Sequence, residues 1–199
     1  MNFSAHKKNS ALSAAVLAGG KSSRMGRNKA LLELNGMTLI EHVTRIAARV
    51  AENVLVITNT PQDYAFLKLP MFADEVKNIG PLGGIYTALL HSSHPHCLVL
   101  ACDLPFLSEK LVRTLAETAG AADIVTVDAG SGPEPLCSVY SSACLPAIRE
   151  QIDSGDYKIM RLLQKVRAHV LPVAGEHELE NINTPEDFAR AQKHARGRD

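Results

Sequence analysis

The run Val16-Leu17-Ala18-Gly19-Gly20-Lys21-Ser22-Ser23-Arg24-Met25-Gly26-Arg27-Asn28-Lys29 is the stretch around which the chain is organised. An apolar segment, Ala14 to Ala18, ends in two glycines. Glycine there lets the backbone turn sharply and bring bare N–H groups close to another group. Hydroxyls follow at Ser22 and Ser23, and cations at Lys21, Arg24, Arg27 and Lys29. Backbone donors, hydroxyls and cations together suit a polyphosphate. Two familiar phosphate loops are excluded by spacing. Walker A needs a glycine where Ala15 stands, and G-x-G-x-x-G does not fit Gly19, Gly20 and Gly26. What remains is L-A-G-G-x-S-x-R-M-G-x-x-K. Two glycines and four cations in so short a run argue against a plain surface loop, though the loop alone does not decide it.

Outward from this loop, apolar strands alternate with helical patterns. Leu12 to Ala18 reads as a strand covered on both faces. Lys29 to Asn35 is a short segment of ambiguous type. Thr38 and Glu41 form a capping box, followed by Leu39, Val43, Ile46 and Val50 at helical spacing. Asn53 to Asn59 is a second buried strand, stopped by Thr60-Pro61, which opens a short helix or turn. Phe72 to Glu75 is extended. Gly80-Pro81-Leu82-Gly83-Gly84 reads as a loop, with a helix from Ile85 to His91. Cys97 to Cys102 is a third strand, ending at Asp103-Leu104-Pro105, after which Ser108 caps a helix. Asp123 to Val127 and Leu136 to Tyr140 are strands around a Gly/Pro/Ser turn. Leu145 to Ile152 and Lys158 to Val166 are helical, and His169 to Val173 is a last strand. Thr184-Pro185-Glu186-Asp187 starts a final helix that runs to about His194. The alternation predicts an α/β fold with a mainly parallel, mixed central sheet flanked by helices, the 123–140 pair supplying an antiparallel strand. One domain is expected over residues 11–195, between tails at 1–10 and 196–199.

Composition bounds the function. The 199 residues are 46% hydrophobic and 21% charged, with a formal net charge of zero. That is ordinary for a globular protein with a substantial core. Bulk electrostatics point to neither a nucleic acid nor a membrane as partner, so any basic site is local. Cys97, Cys102, Cys137 and Cys144 form no C-x-x-C and read as buried thiols in a reducing compartment, although spacing alone leaves a disulfide open. Lys7-Lys8 before Ala11 to Ala18 imitates a short secretory signal, but cleavage there would remove the first strand. A cytoplasmic location follows. His91, His94 and His96 beside Cys97 match no established zinc spacing and read as a turn before a strand.

In open α/β sheets, ligands bind outside the carboxyl ends of the strands. The chain's polar punctuation falls there: the glycine loop after the first strand, Asn59 after the second, Asp74 near the next, and Asp103 after Cys102. Asp103 is a natural Mg²⁺ ligand, since that ion takes few protein carboxylates and fills its shell with phosphate oxygens and water. The competing reading is a turn aspartate bonding its own backbone. Gly80 to Gly84 would let backbone groups approach a base or ribose, and would equally serve as a helix-entry loop. Asn59 and Asp74 suit guanine's N–H edge or ribose hydroxyls, and are also ordinary turn residues.

The first loop, Gly80 to Gly84, Cys102-Asp103-Leu104-Pro105, Pro135-Leu136 before Tyr140, and Asn181-Ile182-Asn183-Thr184-Pro185-Glu186-Asp187 together resemble the MobA-type nucleotidyltransferases, the molybdenum cofactor guanylyltransferases. The resemblance covers Ala14 to Gln192. It implies a Rossmann-like nucleotidyltransferase fold and transfer of GMP from Mg-GTP to the terminal phosphate of molybdopterin, with release of pyrophosphate. It further implies that Leu17, Ala18, Gly19, Gly20, Lys29, Asn59, Asp74, Gly80 and Asp103 hold GTP. Asp103 would carry Mg²⁺. Gly155 to Arg161, with Asn181 and Asn183, would face the pterin, and transient cofactor-delivery proteins would be further partners. Three positions depart from the family pattern: Asn28 stands where an acid is common, Gly83 replaces an alanine, and Glu134 precedes Pro135 where relatives carry a neutral or basic side chain. The chemistry needs no strong base, because the attacking phosphate oxygen is already ionised. Arg24, Lys29 and Mg²⁺ would neutralise the reacting phosphates. Two other classes stay open: a related transferase using CTP or another phosphorylated acceptor, and a non-catalytic nucleotide-binding module.

Overall fold

A computed structural model describes residues 9–19, 28–173 and 176–196. The calls on Gly20, Arg24 and the rest of the 20–27 loop therefore lie outside the described residues, as does most of the expected N-terminal tail. Among the described residues the chain builds a seven-stranded sheet and a small two-stranded ribbon. The strands are β1 (Asn9–Leu17), β2 (Glu33–Leu34), β3 (Met37–Thr38), β4 (Ala51–Ile57), β5 (Met71–Phe72), β6 (His96–Ala101), β7 (Ile124–Asp128), β8 (Pro133–Ser141) and β9 (Ala168–Pro172). The helices are α1 (Leu39–Val50), α2 (Pro81–His91), α3 (Glu109–Glu117), α4 (Leu145–Asp153), α5 (Ile159–Lys165) and α6 (Pro185–Arg196).

The large sheet runs β5-β4-β1-β6-β8-β7-β9. All its pairings are parallel except those of β8, which lies antiparallel between β6 and β7. This is the mixed, mainly parallel sheet expected from the sequence. Strand β1 shows why its residues form a central strand. Alternate side chains point to opposite faces, so Leu12, Ala14 and Val16 join one core layer with α1 and α3, while Ala15 and Leu17 join the other with α2, α4 and α5. Each fully buried Leu or Ile in these layers contributes roughly 1.5–3 kcal/mol relative to exposure.

The local signals hold where they are chemical. Thr38 accepts from the Glu41 N–H and Glu41 bonds back to the Thr38 N–H, closing the expected box on α1. Ser108 accepts from the Leu111 N–H at the start of α3. Thr184 and Asp187 bond reciprocally at the start of α6. Several boundaries differ by a few residues, and two of them matter most. Strand β1 begins at Asn9, paired with Ala51, two residues inside the expected tail. Helix α2 begins at Pro81, so only Gly80 of the predicted glycine loop remains a loop residue, with φ +68°. Gly83 and Gly84 lie inside the helix, where a missing side chain permits close packing. A Cβ on Gly83 would stand 2.7 Å from the Val76 carbonyl oxygen, and one on Gly84 would stand 3.1 Å from Leu17 Cδ1. The same contact explains why Gly83 replaces alanine.

Candidate active site at the carboxyl rim

The register of the sheet assembles the rim. Leu17 lies opposite Ile57 on one side and Ala101 on the other, and Phe72 lies opposite Ile57. Ala18-Gly19, Thr58-Asn59, Asp74 and Cys102-Asp103 therefore leave the sheet at one edge. The Ala18 N–H donates to the Ile57 carbonyl at 2.9 Å and the Thr58 N–H to the Phe72 carbonyl at 2.8 Å, extending the pairing to the lip. Gly19 is exposed, and a Cβ there would meet none of the described residues within 4 Å. Its missing side chain therefore serves no packing, unlike that of Gly84.

Lys29 is delivered to this rim by a short 3₁₀ turn, Lys29–Leu31, capped by Asn28. Asn28 uses both ends of its amide. Its oxygen accepts from the Ala30 N–H at 3.1 Å and its nitrogen donates to the Tyr64 hydroxyl at 2.9 Å. The Tyr64 hydroxyl also lies 3.2 Å from Asn28 Oδ1 as a donor, so an aspartate would keep both contacts as an acceptor only. The Lys29 ammonium stands 2.6 Å from Asp103 Oδ2 and donates to Asn183 Oδ1 at 2.9 Å. Two residues 74 and 154 positions from Lys29 in sequence thus meet on its one nitrogen. The pair is largely shielded, with 21% of the lysine side chain and 15% of the aspartate exposed.

The turn that carries Asn183 is fixed on both sides. The Ile182 N–H donates to the Asp103 carbonyl at 3.1 Å. Asp187 accepts from the N–H groups of Asn183 and Thr184, and the Asn183 N–H is the largest cause holding its carboxyl below the usual carboxylate range. Asn59 and Asp74 form a separate clasp: Asn59 donates to Asp74 Oδ2 at 2.7 Å, and the Asp74 N–H donates to Asn59 Oδ1 at 3.2 Å.

Glu134 enters because β8 runs against its neighbours, so its first residues arrive where the parallel strands end. The Glu134 carbonyl accepts from two fully buried hydroxyls, Thr126 at 3.0 Å and Ser138 at 2.7 Å. Burial raises its carboxyl above the ordinary value; the charge of Asp103 adds to the rise, while the Leu136 N–H and the Asn181 side chain oppose it. Of the later segment, Gly155 turns the chain at φ +73°, and fully buried Gln151 pins Lys158 through its carbonyl at 2.8 Å. Tyr157 and Met160 are left exposed beyond it.

The four cysteines are buried free thiols. Burial raises Cys97 and Cys102 to about 12 and Cys144 to about 11, and pushes Cys137 in the same direction, so none is a thiolate nucleophile. Among the described residues no group of three or more His, Cys, Asp or Glu side chains is placed to hold a metal by itself. No described helix is long and apolar enough to cross a membrane. One residue that sequence reading passes over is Thr87, a fully buried threonine on α2 whose hydroxyl accepts from the Glu75 N–H beside Asp74. A threonine beside Tyr86 in the otherwise apolar Leu82 to Leu90 run marks the position but not its partner.

Known proteins share this architecture. The model of the MobA-like NTP transferase domain matches residues 14–171. A "Probable molybdenum cofactor guanylyltransferase" of Nostoc sp. is 40% identical over 190 residues, 91% of this chain and 90% of that protein. One of the same description from Carboxydothermus hydrogenoformans is 37% identical over 189 residues, 92% of this chain and 95% of that protein. Among solved structures, molybdopterin-guanine dinucleotide biosynthesis protein A from Archaeoglobus fulgidus superposes with a TM-score of 0.78 at 27% identity, covering 93% of this chain and 99% of that one. The span of the family model ends at residue 171, before the Asn181–Asn183 turn that the fold returns to Asp103. With the family model spanning most of the sheet and relatives matching nearly end to end, the chain belongs to the MobA-like NTP transferase family.

Proposed function

We propose that this nucleotidyltransferase joins the GMP of Mg-GTP to the terminal phosphate of molybdopterin, giving the guanine dinucleotide form of the molybdenum cofactor and pyrophosphate. The observation that carries the reading is the meeting of Lys29, Asp103 and Asn183 at the carboxyl rim. Such a cluster offers one cation and one hard anion to the donor triphosphate. The names of the relatives support a guanylyl group as the unit transferred and the molybdenum cofactor as what receives it.

The donor set at Asp103 suits Mg²⁺. It is a shielded carboxylate facing the Lys29 ammonium, and among the described residues no cluster of three or more acidic, His or Cys side chains forms an all-protein cage. Asp103 would hold the ion, with phosphate oxygens and water completing the shell. Mg²⁺ bound there supplies charge neutralisation to the triphosphate. The remaining work belongs to the chain. Lys29 leaves Asp103 for the phosphates and offsets the charge that gathers on the departing pyrophosphate. Asn183 holds the ammonium at the rim beside the reacting phosphates. Asn59 and Asp74 face the guanine edge or the ribose, and the open space at Gly19 lets backbone N–H groups approach phosphate. Arg24 is assigned to the same phosphates. An oxygen of the acceptor phosphate forms a bond to the α-phosphorus of GTP while the bond to the β-phosphate bridge breaks, and the electron pair leaves with pyrophosphate. The attacking oxygen is already ionised, so alignment and electrostatics carry the rate. On the acceptor side, Asn181, Asn183 and the Gly155 to Arg161 segment receive the pterin. A cytoplasmic setting and transient delivery proteins complete the proposal.

The test is pyrophosphate release on mixing the protein with Mg²⁺, molybdopterin and either GTP or CTP. Release with GTP, and a guanine dinucleotide product, is expected. Preference for CTP, or binding of GTP without release, contradicts the reading.

A further inference from the structure

The segment that carries Asp74 is held by α2 through several independent contacts. The Thr87 hydroxyl donates to the Gly83 carbonyl at 2.9 Å and accepts from the Glu75 N–H at 2.9 Å. His91, one turn further along, stacks on Phe72 with ring centroids 3.9 Å apart and pairs with Glu75 Oε1 at 2.9 Å. At the other end of the helix, Gly83 lies so close to the Val76 carbonyl that no side chain fits between them. Residues 72–76 therefore wrap along α2, and the innermost link in that wrap is Thr87, with no exposed surface. The Asp74 N–H points to Asn59 while the next N–H, of Glu75, points to Thr87. Two consecutive backbone donors are thereby fixed in different directions. That fixes the peptide between them, and with it the direction of the Asp74 side chain.

We propose that Thr87 is a positioning residue for nucleobase discrimination: its hydroxyl sets the Asp74–Glu75 peptide, so that Asp74 and Asn59 together present one fixed edge to the base of the nucleotide. The inference rests on the reading that the Asn59–Asp74 clasp meets the nucleoside end of GTP. A polar pair selects a base only if its donors and acceptors are held in place, because a clasp free to rotate satisfies several edges equally well. The helix thus acts on specificity through a residue that does not touch the ligand.

The experiment is calorimetric titration of the whole protein with Mg-GTP and, separately, with Mg²⁺ and inorganic triphosphate. The variants are Thr87→Val, Thr87→Ser and Asn59→Ala. Thr87→Val preserves shape and removes the hydroxyl. It is expected to weaken GTP about tenfold, the size of one lost hydrogen bond, while triphosphate binding stays within twofold. Thr87→Ser restores GTP affinity. In turnover, the Thr87→Val loss falls on KM for GTP and on the GTP-to-CTP preference rather than on kcat. Equal weakening of GTP and triphosphate by Thr87→Val overturns the proposal, because it marks general loosening. Unchanged GTP affinity in Thr87→Val, with Asn59→Ala weakened, overturns the proposal alone. Unchanged GTP affinity in Asn59→Ala overturns the assignment of the clasp, and the inference falls with it.

Discussion

Two polar triads lie toward opposite ends of the same sheet. Toward the amino ends of β4 and β6, the Ser13 hydroxyl meets His94 Nδ1 at 2.9 Å, and His94 Nε2 lies 3.2 Å from Glu52 Oε2. At the carboxyl rim, Lys29 joins Asp103 and Asn183. By residue type the first is the more suggestive, since serine, histidine and an acid are the parts of a hydrolase. Its placement denies that role: Ser13 is a fully buried residue of central strand β1, out of reach of any substrate. The triad satisfies a buried hydroxyl and ties the bend before β6 to two strands. The rim triad has plainer chemistry but stands where strands end and loops diverge. Geometry relative to the sheet, more than residue type, separates a site from a fastening.

That contrast can be broken by mutation. The largest effect is expected from Asp103→Ala, which should reduce guanylyl transfer at least a thousandfold while circular dichroism stays native, since on the proposed reading the ion would lose its protein anchor. Retained Mg²⁺-dependent turnover would erase the distinction. Lys29→Met should lower kcat/KM by about a hundredfold or more, the scale of one removed charge-stabilising donor. Asn183→Ala should cost roughly tenfold, as it removes an uncharged partner of Lys29.

A pH experiment sharpens the account of the rim. Glu134 keeps its proton to higher pH in the fold than in the unfolded chain, where the ordinary value is 4.5. In that window the native state binds more protons, so stability falls as pH rises and levels off once Glu134 ionises in both states. Glu134→Gln should melt higher than the parent at neutral pH, and the difference should shrink toward pH 4. Scanning calorimetry across that range checks the sign; a difference that grows on acidification contradicts it. The smallest effect belongs to the buried triad. Ser13→Ala should lower Tm by about 2–4 °C, the equivalent of one net hydrogen bond in a chain of this size, and leave transfer intact.

Legibility in the sequence followed the range of the forces involved. The capping box at Thr38 and Glu41, the cap at Ser108 and the box at Thr184 and Asp187 are contacts within four residues, so they could be read directly. The placing of Asn59, Asp74 and Asp103 at one rim followed from the rule for parallel sheets. Gly83 and Gly84 misled because glycine marks both a loop and a close approach, and only the packed position of Val76 and Leu17 tells which. The union of Asn183 with Lys29 across 154 residues is likewise a product of topology; no local pattern carries it, and only the resemblance brought both residues into one site. Thr87 was hidden for the same reason, because its partner Glu75 belongs to a different element.

The most direct test is the structure of the protein bound to Mg-GTP. The account predicts that Lys29 Nζ lies within hydrogen-bonding distance of a phosphate oxygen, that Asp103 is turned to the metal ion, and that the base rests against Asn59 and Asp74. A nucleotide seated away from the carboxyl rim, with the Lys29–Asp103 pair undisturbed, would contradict it.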